Sequence, residues 1–337
     1  MSSELRKILR ASDAARAAGR PSKPQGDCPE QLAPLILGGG LSAYSLARAF
    51  QEQYGLYATI LGQAQDPICA GSRLCACLDL DAADPLGQIR RFAELAEGMT
   101  VLVLPAAHRL AQTLAEGRDR LPPQVLICAP GPEALRRLDA PEQMAAGCTQ
   151  TGFRFEPEGA SPTHCVMGYS SREGQARLLS CAQLLLRAQD TDLVAHAVFL
   201  DQITAQISAL LDRLGWTGFF CARLALGGEV PILTSLEGTP GQAVHMLTAL
   251  GQSPAWWAVE DLYYRHELPY TVTSGRCLWR AVGHSACKKR LDAEGMATLR
   301  GMLGFGAVCN PFYAPGDGGL GRRMALRKAQ KALDVLA

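Results

Sequence analysis

Several features are scarce in this 337-residue chain, and each scarcity excludes a class of protein. Only 19% of the residues are charged, and 33 Lys+Arg nearly balance 32 Asp+Glu, so the basic excess that nucleic-acid binding requires is missing. No apolar run reaches the roughly eighteen residues of a membrane span. Residues 1–30 lack the apolar stretch of a signal peptide. We therefore expect a cytoplasmic protein with neither a nucleic-acid nor a membrane partner.

Lysine is rare as well. The chain has 6 lysines, and none lies between Lys23 and Lys288, so arginine supplies all the positive charge of the central region. This gap excludes lysine-dependent chemistry from the middle of the chain. The 6 histidines are isolated and show no HxH or HxxxH spacing that would bring two of them to one metal. No histidine is therefore predicted as a ligand.

Cysteine, in contrast, is plentiful, with 12 residues, yet no two of them form a CxxC pair. Cys128, Cys181 and Cys221 lie inside apolar runs, where an unpaired cysteine packs as a small hydrophobic side chain. The pattern favours reduced core cysteines over a disulfide framework.

Between residues 31 and 150, short apolar segments alternate with amphipathic ones. The first apolar segment, Leu32–Leu37, runs into the glycines Gly38–Gly40, and a helix is predicted over Leu41–Tyr54 with Ser42 as its N-cap. Further strands are predicted at residues 57–61, 74–78, 101–105 and 124–128. This alternation predicts an α/β unit with a parallel, Rossmann-like sheet.

After residue 150 the pattern changes to consecutive strands. Strands are predicted at residues 153–156, 164–169, 176–187 and 193–198, followed by an amphipathic helix closed by Gly215 and by a hairpin of residues 219–226 and 230–236. These elements predict an antiparallel α+β domain. We divide the chain into a flexible leader (1–30), a Rossmann-like domain (31–150), the α+β domain (151–265) and a C-terminal appendage (266–337).

The order of elements after residue 199 resembles the second half of the ATP-grasp ligase fold. A long helix ends in Leu214-Gly-Trp-Thr-Gly-Phe-Phe, and the hairpin is followed by Ser235-Leu-Glu-Gly-Thr-Pro-Gly and another helix. The opening segment Pro34–Gly62 resembles the pre-ATP-grasp unit of the carboxylate–amine ligases of the D-aspartate-ligase type. The segment from Asn310-Pro to Arg322-Arg resembles their closing segment. The resemblance implies a pre-ATP-grasp Rossmann-like sheet followed by a reduced ATP-grasp-like domain.

In that family, the two hairpin strands supply acidic and amide oxygens to Mg²⁺ beside the ATP phosphates. Here Cys221 stands where the first strand carries its glutamate, and Ser235 and Glu237 stand at the glutamate and asparagine of the second strand. Glu237 is then the one carboxylate left for the metal. The lysine-bearing lid subdomain of the family also has no counterpart, since only short helices at residues 132–138 and 141–147 separate Cys128 from Phe153.

Two functions follow from the resemblance, and the sequence leaves both open. The first is a non-catalytic descendant that binds a small ligand, such as a carboxylate or an amine, or a partner protein. The second is an ATP-dependent carboxylate–amine ligase that forms a C–N bond through an acyl phosphate and requires ATP and Mg²⁺. The predicted ligand-binding residues are Gly38, Gly39, Gly40, Ser42, Arg177 and Arg223, with Glu237 at the metal; no catalytic residue is assigned.

A third interpretation, a nucleotide- or NAD-dependent enzyme built on Gly38–Gly40, is disfavoured. Dinucleotide-binding folds place an acidic residue at the end of the second strand to hold the ribose, and no acidic residue closes that strand at Leu61-Gly62 here.

Overall fold

The computed structural model describes residues 29–174, 176–189, 191–305, 307–312, 314, 317 and 320–337. Residues 176, 177, 305, 320 and 321 are described by their backbone alone. The predicted leader therefore lies outside the described residues, apart from its last two positions. Among the helices in these ranges, none has the length and the hydrophobicity that a bilayer-crossing segment needs.

The first half of the described chain forms a five-stranded parallel sheet, sheet A, as predicted. Its strands are β1 (Leu32–Leu37), β2 (Ala58–Gly62), β3 (Cys75–Asp79), β4 (Thr100–Pro105) and β5 (Val125–Ile127), and its helices are α1 (Gly40–Tyr54), α2 (Pro85–Leu95) and α3 (His108–Glu116). The strand order is β3-β2-β1-β4-β5. Strands of parallel sheets are covered on both faces, and every residue of the central strand β1 is buried.

Helix α1 does not begin as predicted. Gly39, in an extended conformation, precedes its first turn, and no side chain caps the helix there. Ser42 lies inside α1, where its hydroxyl donates to the carbonyl oxygen of Gly241 over 3.1 Å. The prediction of Ser42 as the N-cap is wrong, because the chain passes from the glycine turn directly into the helix.

Two short helices, α4 (Pro132–Leu138) and α5 (Pro141–Gln150), lead into a second, nine-stranded sheet, sheet B. Its strands are β6 (Arg154–Phe155), β7 (His164–Ser170), β8 (Ala176–Ala188), β9 (Thr191–Val198), β10 (Gly218–Ala225), β11 (Ile232–Glu237), β12 (Thr271–Val272), β13 (Cys277–Arg280) and β14 (Ala307–Cys309). They lie in the order β14-β13-β9-β8-β7-β10-β11-β6, and β12 pairs with β8. The last three strands come from the region after residue 266.

Sheet B is mixed, whereas the sequence predicted an antiparallel sheet. The pairings of its centre, from β13 to β11, are antiparallel. The short strands β6, β12 and β14 instead pair in parallel with their neighbours. Strands β12 and β14 have only two or three residues each, too few to show a hydrophobic alternation in the sequence, whereas β6 was predicted as a strand at residues 153–156 but without its parallel partner.

Helix α6 (Asp201–Leu214) covers one face of sheet B. It ends at Gly215, whose left-handed conformation (φ 66°) caps the helix as predicted. Ile207 and Leu210 of α6 pack there against Phe220 and Leu236 of the sheet. The remaining helices are α7 (His245–Ala249), α8 (Pro254–Leu262), α9 (His284–Arg290), α10 (Ala293–Phe305) and α11 (Leu320–Leu336).

The opposite face of sheet B faces α1. One continuous core contains Leu102 of sheet A, Tyr44 and Phe50 of α1, and Tyr169 and Phe219 of sheet B, together with residues of α7 and α8. Cys128 and Cys221 are buried in this core as predicted. Helix α1 is therefore shared by both sheets.

Candidate functional site

The hairpin of β10 and β11 brings four of the singled-out residues onto one surface. Its antiparallel register pairs Cys221 with Glu237 and Arg223 with Ser235. Directly paired residues of a ladder, and residues two apart on a strand, point to the same side of the sheet. We call this surface, defined by these four residues, the hairpin face. It lies on the α1 side of sheet B, because Cys221 belongs to the core around α1.

Arg223 on the hairpin face is buried and already paired. Its Nη1 donates to both carboxylate oxygens of Asp192, at 2.7 and 2.9 Å, and its Nε lies 3.7 Å from Oε1 of Glu237. Asp192, only 1% exposed, also accepts from Nε of Arg187 at 3.0 Å. Burial lowers the pKa of Arg223, but Cys221 and Asp192 raise it by more, so the net shift is upward and the guanidinium stays charged. Its charge is therefore neutralised within the protein.

Cys221 is enclosed by the chain that follows β11. Gly241 of this segment adopts a positive φ of 75°, and a Cβ there would lie 2.9 Å from Sγ of Cys221. The same segment is held to α1 by the Ser42 hydrogen bond to Gly241. On its other side, the Cys221 thiol contacts that of Cys165, and this contact, followed by burial, raises the pKa of Cys165. Cys221 is thus closed to a ligand.

Glu237 lies where the two sheets meet. Its side chain is 34% exposed, and its Oε2 accepts from Oγ1 of Thr239 at 3.4 Å. The next residue, Gly238, donates its amide N–H to Nδ1 of His108 at 3.1 Å. Because His108 begins α3, this bond ties the end of the hairpin to sheet A. Glu237 is therefore the accessible carboxylate of the hairpin face.

The hairpin face does not fit an ATP-bound Mg²⁺ as the family resemblance implies. Magnesium requires several oxygen ligands in octahedral geometry. Cys221 offers an enclosed sulfur, and Oγ of Ser235 is buried without a hydrogen-bond partner among the described residues. Glu237 supplies one carboxylate, beside a guanidinium. Within the described ranges, no cluster of three His, Cys, Asp or Glu side chains is placed to hold a metal ion.

The glycine turn at the end of β1 is occupied by an internal carboxylate. The amide N–H of Gly40 donates to Oδ2 of Asp66 at 2.7 Å, and that of Gly38 donates to the carbonyl oxygen of Leu61 at 2.8 Å. A Cβ on Gly39 would lie 2.7 Å from the same oxygen of Asp66, which explains why the chain carries glycine there. An anionic ligand at Gly40 would have to displace Asp66.

Asp317, in the segment that precedes α11, anchors the C-terminal part of the chain to α1 and to residues 72–73. Asp317 accepts from the hydroxyl of Tyr44 at 2.5 Å, from Oγ of Ser72 at 2.9 Å and from the amide of Arg73 at 2.7 Å. Arg322 lies 3.4 Å from the same carboxylate. Arg322 is only 7% exposed, so it belongs to this buried anchor and fixes α11 against α1.

The structure thus assembles Cys221, Arg223, Ser235 and Glu237 but not every predicted residue. Arg177 lies in β8, and its side chain is outside the described part of the chain, so its role stays a prediction. Sequence reasoning missed Asp192 and Asp66. Asp66 follows β2 at the edge where all strands of sheet A end, and this placement was a usable signal. Asp192 carries no comparable signal.

Comparisons with known proteins define the fold class. The chain has the ATP-grasp fold of the biotin carboxylases, which are ATP-grasp enzymes. The biotin carboxylase domain of a single-chain bacterial carboxylase matches with a TM-score of 0.54 and 13% identity, over 73% of this chain and 74% of that chain. The biotin carboxylase subunit of pyruvate carboxylase matches with a TM-score of 0.54 and 11% identity, over 72% and 73%.

A larger protein shows the same fold over a smaller share of its length. A single-chain, multi-domain long-chain acyl-CoA carboxylase matches with a TM-score of 0.51 and 15% identity, over 70% of this chain and 26% of that chain, so the present chain spans about a quarter of it. No protein-family model and no curated protein sequence matches the chain. At these identities the similarity establishes the fold and not the reaction.

Proposed function

We propose that the protein is a non-catalytic descendant of the ATP-grasp fold that binds a small ligand. The observation that carries the proposal is the pairing of Arg223 with Asp192, because Arg223 is the one described arginine on the hairpin face that would replace the missing lysines. A phosphate group at Arg223 would have to displace the carboxylate of Asp192, which is only 1% exposed and would stay buried without its partner.

The chemistry of phosphoryl transfer supports the same view. An acyl-phosphate route needs metal ions and free cations that stabilise the charge on the γ-phosphate. At and beside the hairpin face, the charges of Arg187 and Arg223 are matched by those of Asp192 and Glu237. Such a surface offers a phosphate no net positive potential. A partner protein, also predicted from the sequence, stays a prediction.

A second candidate is the ATP-dependent carboxylate–amine ligase. It is favoured by the fold shared with the biotin carboxylases. The side chain of Glu237 also supports it, because this carboxylate is 34% exposed and a carboxylate must be accessible to bind a metal ion. This candidate makes Glu237 indispensable for the binding of MgATP.

Titration with MgATP, followed by thermal unfolding, separates the two candidates. A ligand at 100 times its Kd stabilises a protein by about 2.7 kcal/mol. We expect no stabilisation at millimolar MgATP and no ADP release with carboxylates and amines. A stabilisation that is lost in Glu237→Gln but kept in Glu229→Gln, a control in the exposed hairpin turn, would refute the non-catalytic proposal.

A further inference from the structure

A separate cavity of about 350 Å³ lies between α1, α7 and β14. We call it the α1–α7 cavity; its polar lining residues are Arg48, Glu52, His245, Thr248 and Asn310. Arg48 follows Gly40 by eight residues, or about 12 Å along the helix axis. The cavity shares no residue with the hairpin face or with the glycine turn.

The cavity holds a close pair of opposite charges. Nε of Arg48 lies 2.6 Å from Oε1 of Glu52, one helical turn further along α1. Nη1 of Arg48 donates to the carbonyl oxygen of Asn310 at 3.2 Å. Among the described residues, these contacts leave Nη2 of Arg48 for a further acceptor, and the 33% exposed side chain of Glu52 retains a second oxygen for a donor.

Two further polar groups around the cavity have no hydrogen-bond partner among the described residues. Nδ1 of His245, a residue only 5% exposed, is buried and unpaired, and so is Oγ1 of Thr248. Burial, and then the charge of Arg48, lower the pKa of His245 to about 3, so the ring is a neutral donor and acceptor. Buried polar groups in proteins are normally paired. Both residues line the cavity, so a small rotation of their side chains would give these buried groups a hydrogen-bond partner in a polar ligand.

The charge pair selects the class of ligand. A simple anion at Arg48 would also face the carboxylate of Glu52, and a simple cation at Glu52 would face the guanidinium. A molecule that carries both charges on neighbouring atoms meets both groups with the correct sign. Ala249, Val308 and Cys309 provide apolar wall for the rest of the molecule.

We infer that the α1–α7 cavity binds a neutral α-amino acid, with its carboxylate at Arg48 and its ammonium group at Glu52. His245, Thr248 and Asn310 hydrogen-bond to the polar atoms of the ligand. This inference does not depend on the outcome of the MgATP titration, since the two sites have no residue in common.

Isothermal titration calorimetry and thermal unfolding test the inference with the full chain. The probes are the neutral L-amino acids, with N-acetyl-L-alanine, which lacks the ammonium group, and L-alaninamide, which lacks the carboxylate. At least one amino acid should bind and raise the Tm, and the blocked compounds should bind at least about tenfold more weakly, or 1.4 kcal/mol. Absence of binding by every amino acid at millimolar concentration, or equal binding of the blocked compounds, would overturn it.

Two variants of cavity residues and one control variant test the site further. Glu52→Gln should weaken the binding of the amino acid about tenfold. The affinity for N-acetyl-L-alanine should rise relative to that for the amino acid, because its carboxylate is no longer repelled by the carboxylate of Glu52. Glu94→Gln, on the exposed surface of α2, is the matched control and should change neither. Thr248→Val removes the unpaired hydroxyl at constant shape, so it should leave the free protein folded and weaken binding. Unchanged binding in both Glu52→Gln and Thr248→Val would contradict the site.

Discussion

Nη1 of Arg223 donates to both carboxylate oxygens of Asp192, two residues that lie 31 positions apart in the chain. Both residues are buried, at 7% and 1% exposure, so each charge is compensated mainly by the other, with Arg187 as a further partner of Asp192 and Glu237 as a further neighbour of Arg223. Breaking a buried ion pair by removing one partner is costly because the other charge stays buried and unpaired. The pair is therefore a structural element of the hairpin face.

This relationship predicts a strong coupling in stability. Arg223→Met should lower the free energy of unfolding by roughly 3–5 kcal/mol, since Asp192 loses its bidentate partner. The double variant Arg223→Met/Asp192→Asn should recover a large part of that loss, because no uncompensated carboxylate remains. Urea unfolding of the single variants and the double variant measures the coupling. Additive losses would show that the pair is not coupled.

A second prediction concerns the cover over Cys221. Gly241→Ala combines a left-handed backbone with a Cβ 2.9 Å from Sγ, so it should destabilise the protein by roughly 2–4 kcal/mol. Gly251→Ala is the matched control: its φ is 80°, but nothing lies within 4 Å of the new Cβ, and a loss of about 1–2 kcal/mol is expected. Adding Cys221→Ala to Gly241→Ala should recover the part of the lost free energy of unfolding that comes from the steric contact. Equal losses at Gly241 and Gly251 would speak against the close contact.

The unpaired hydroxyl of Ser235 leads to a third prediction. Its Oγ is buried and has no hydrogen-bond partner in the described part of the chain, so Ser235→Ala should leave the free energy of unfolding unchanged or raise it by up to about 1 kcal/mol. Ser180→Ala serves as the comparison, because Oγ of Ser180 accepts from Oγ1 of Thr273 at 2.7 Å, and its removal should cost about 1–3 kcal/mol. Chemical denaturation of the two variants distinguishes them. A clear loss in Ser235→Ala would mean that its hydroxyl has a partner.

A fourth prediction is a pH dependence that originates at Asp261. This carboxyl is 1% exposed and accepts from the hydroxyl of Tyr169 at 2.7 Å. Burial raises its pKa above the ordinary 3.8, although Tyr169 and Arg172 partly oppose the shift. The folded state therefore binds more protons than the unfolded state between pH 3.8 and the raised pKa. As a result, the free energy of unfolding falls as the pH rises through this window.

Asp261→Asn should remove that decline. Unfolding free energies of both proteins, measured from below pH 3.8 upwards, should differ by a constant amount below the ordinary pKa, and the value of the unmodified protein should then fall relative to that of Asp261→Asn between pH 3.8 and the raised pKa. A constant difference across the whole range would show that the carboxyl does not titrate in this window.

The elements that the sequence predicted are those with a local pattern of apolar residues. The strands of sheet A are continuous apolar segments between glycine or acidic turns, and α6 shows one apolar stripe ending at Gly215, so their positions follow from local patterns. The hairpin itself was predicted, but the register of Cys221 with Glu237 was not: a two-residue turn at Gly227-Gly228 would pair Cys221 with Thr234, whereas the hairpin has a longer connection and a register shift after Arg223.

The contacts that decide the function could not be predicted in this way. Asp192 is the second residue of β9, an ordinary acidic residue near a turn, and only the side-by-side order of β9, β8, β7 and β10 in sheet B brings it to Arg223. The cavity beside Arg48 depends on β14, a three-residue strand that pairs with β13 in parallel. Such contacts join distant segments, and no local pattern records them.

Helix α1 has twelve of its 15 residues buried, against sheet A on one side and against sheet B, α7 and α8 on the other. A hinge between two lobes requires an interface that opens at little cost. Here, rotation of one sheet against the other would expose buried aromatic side chains such as Tyr44 and Phe50 to solvent. The two layers therefore turn as one rigid body, and adjustment to a bound molecule is left to side chains and short loops.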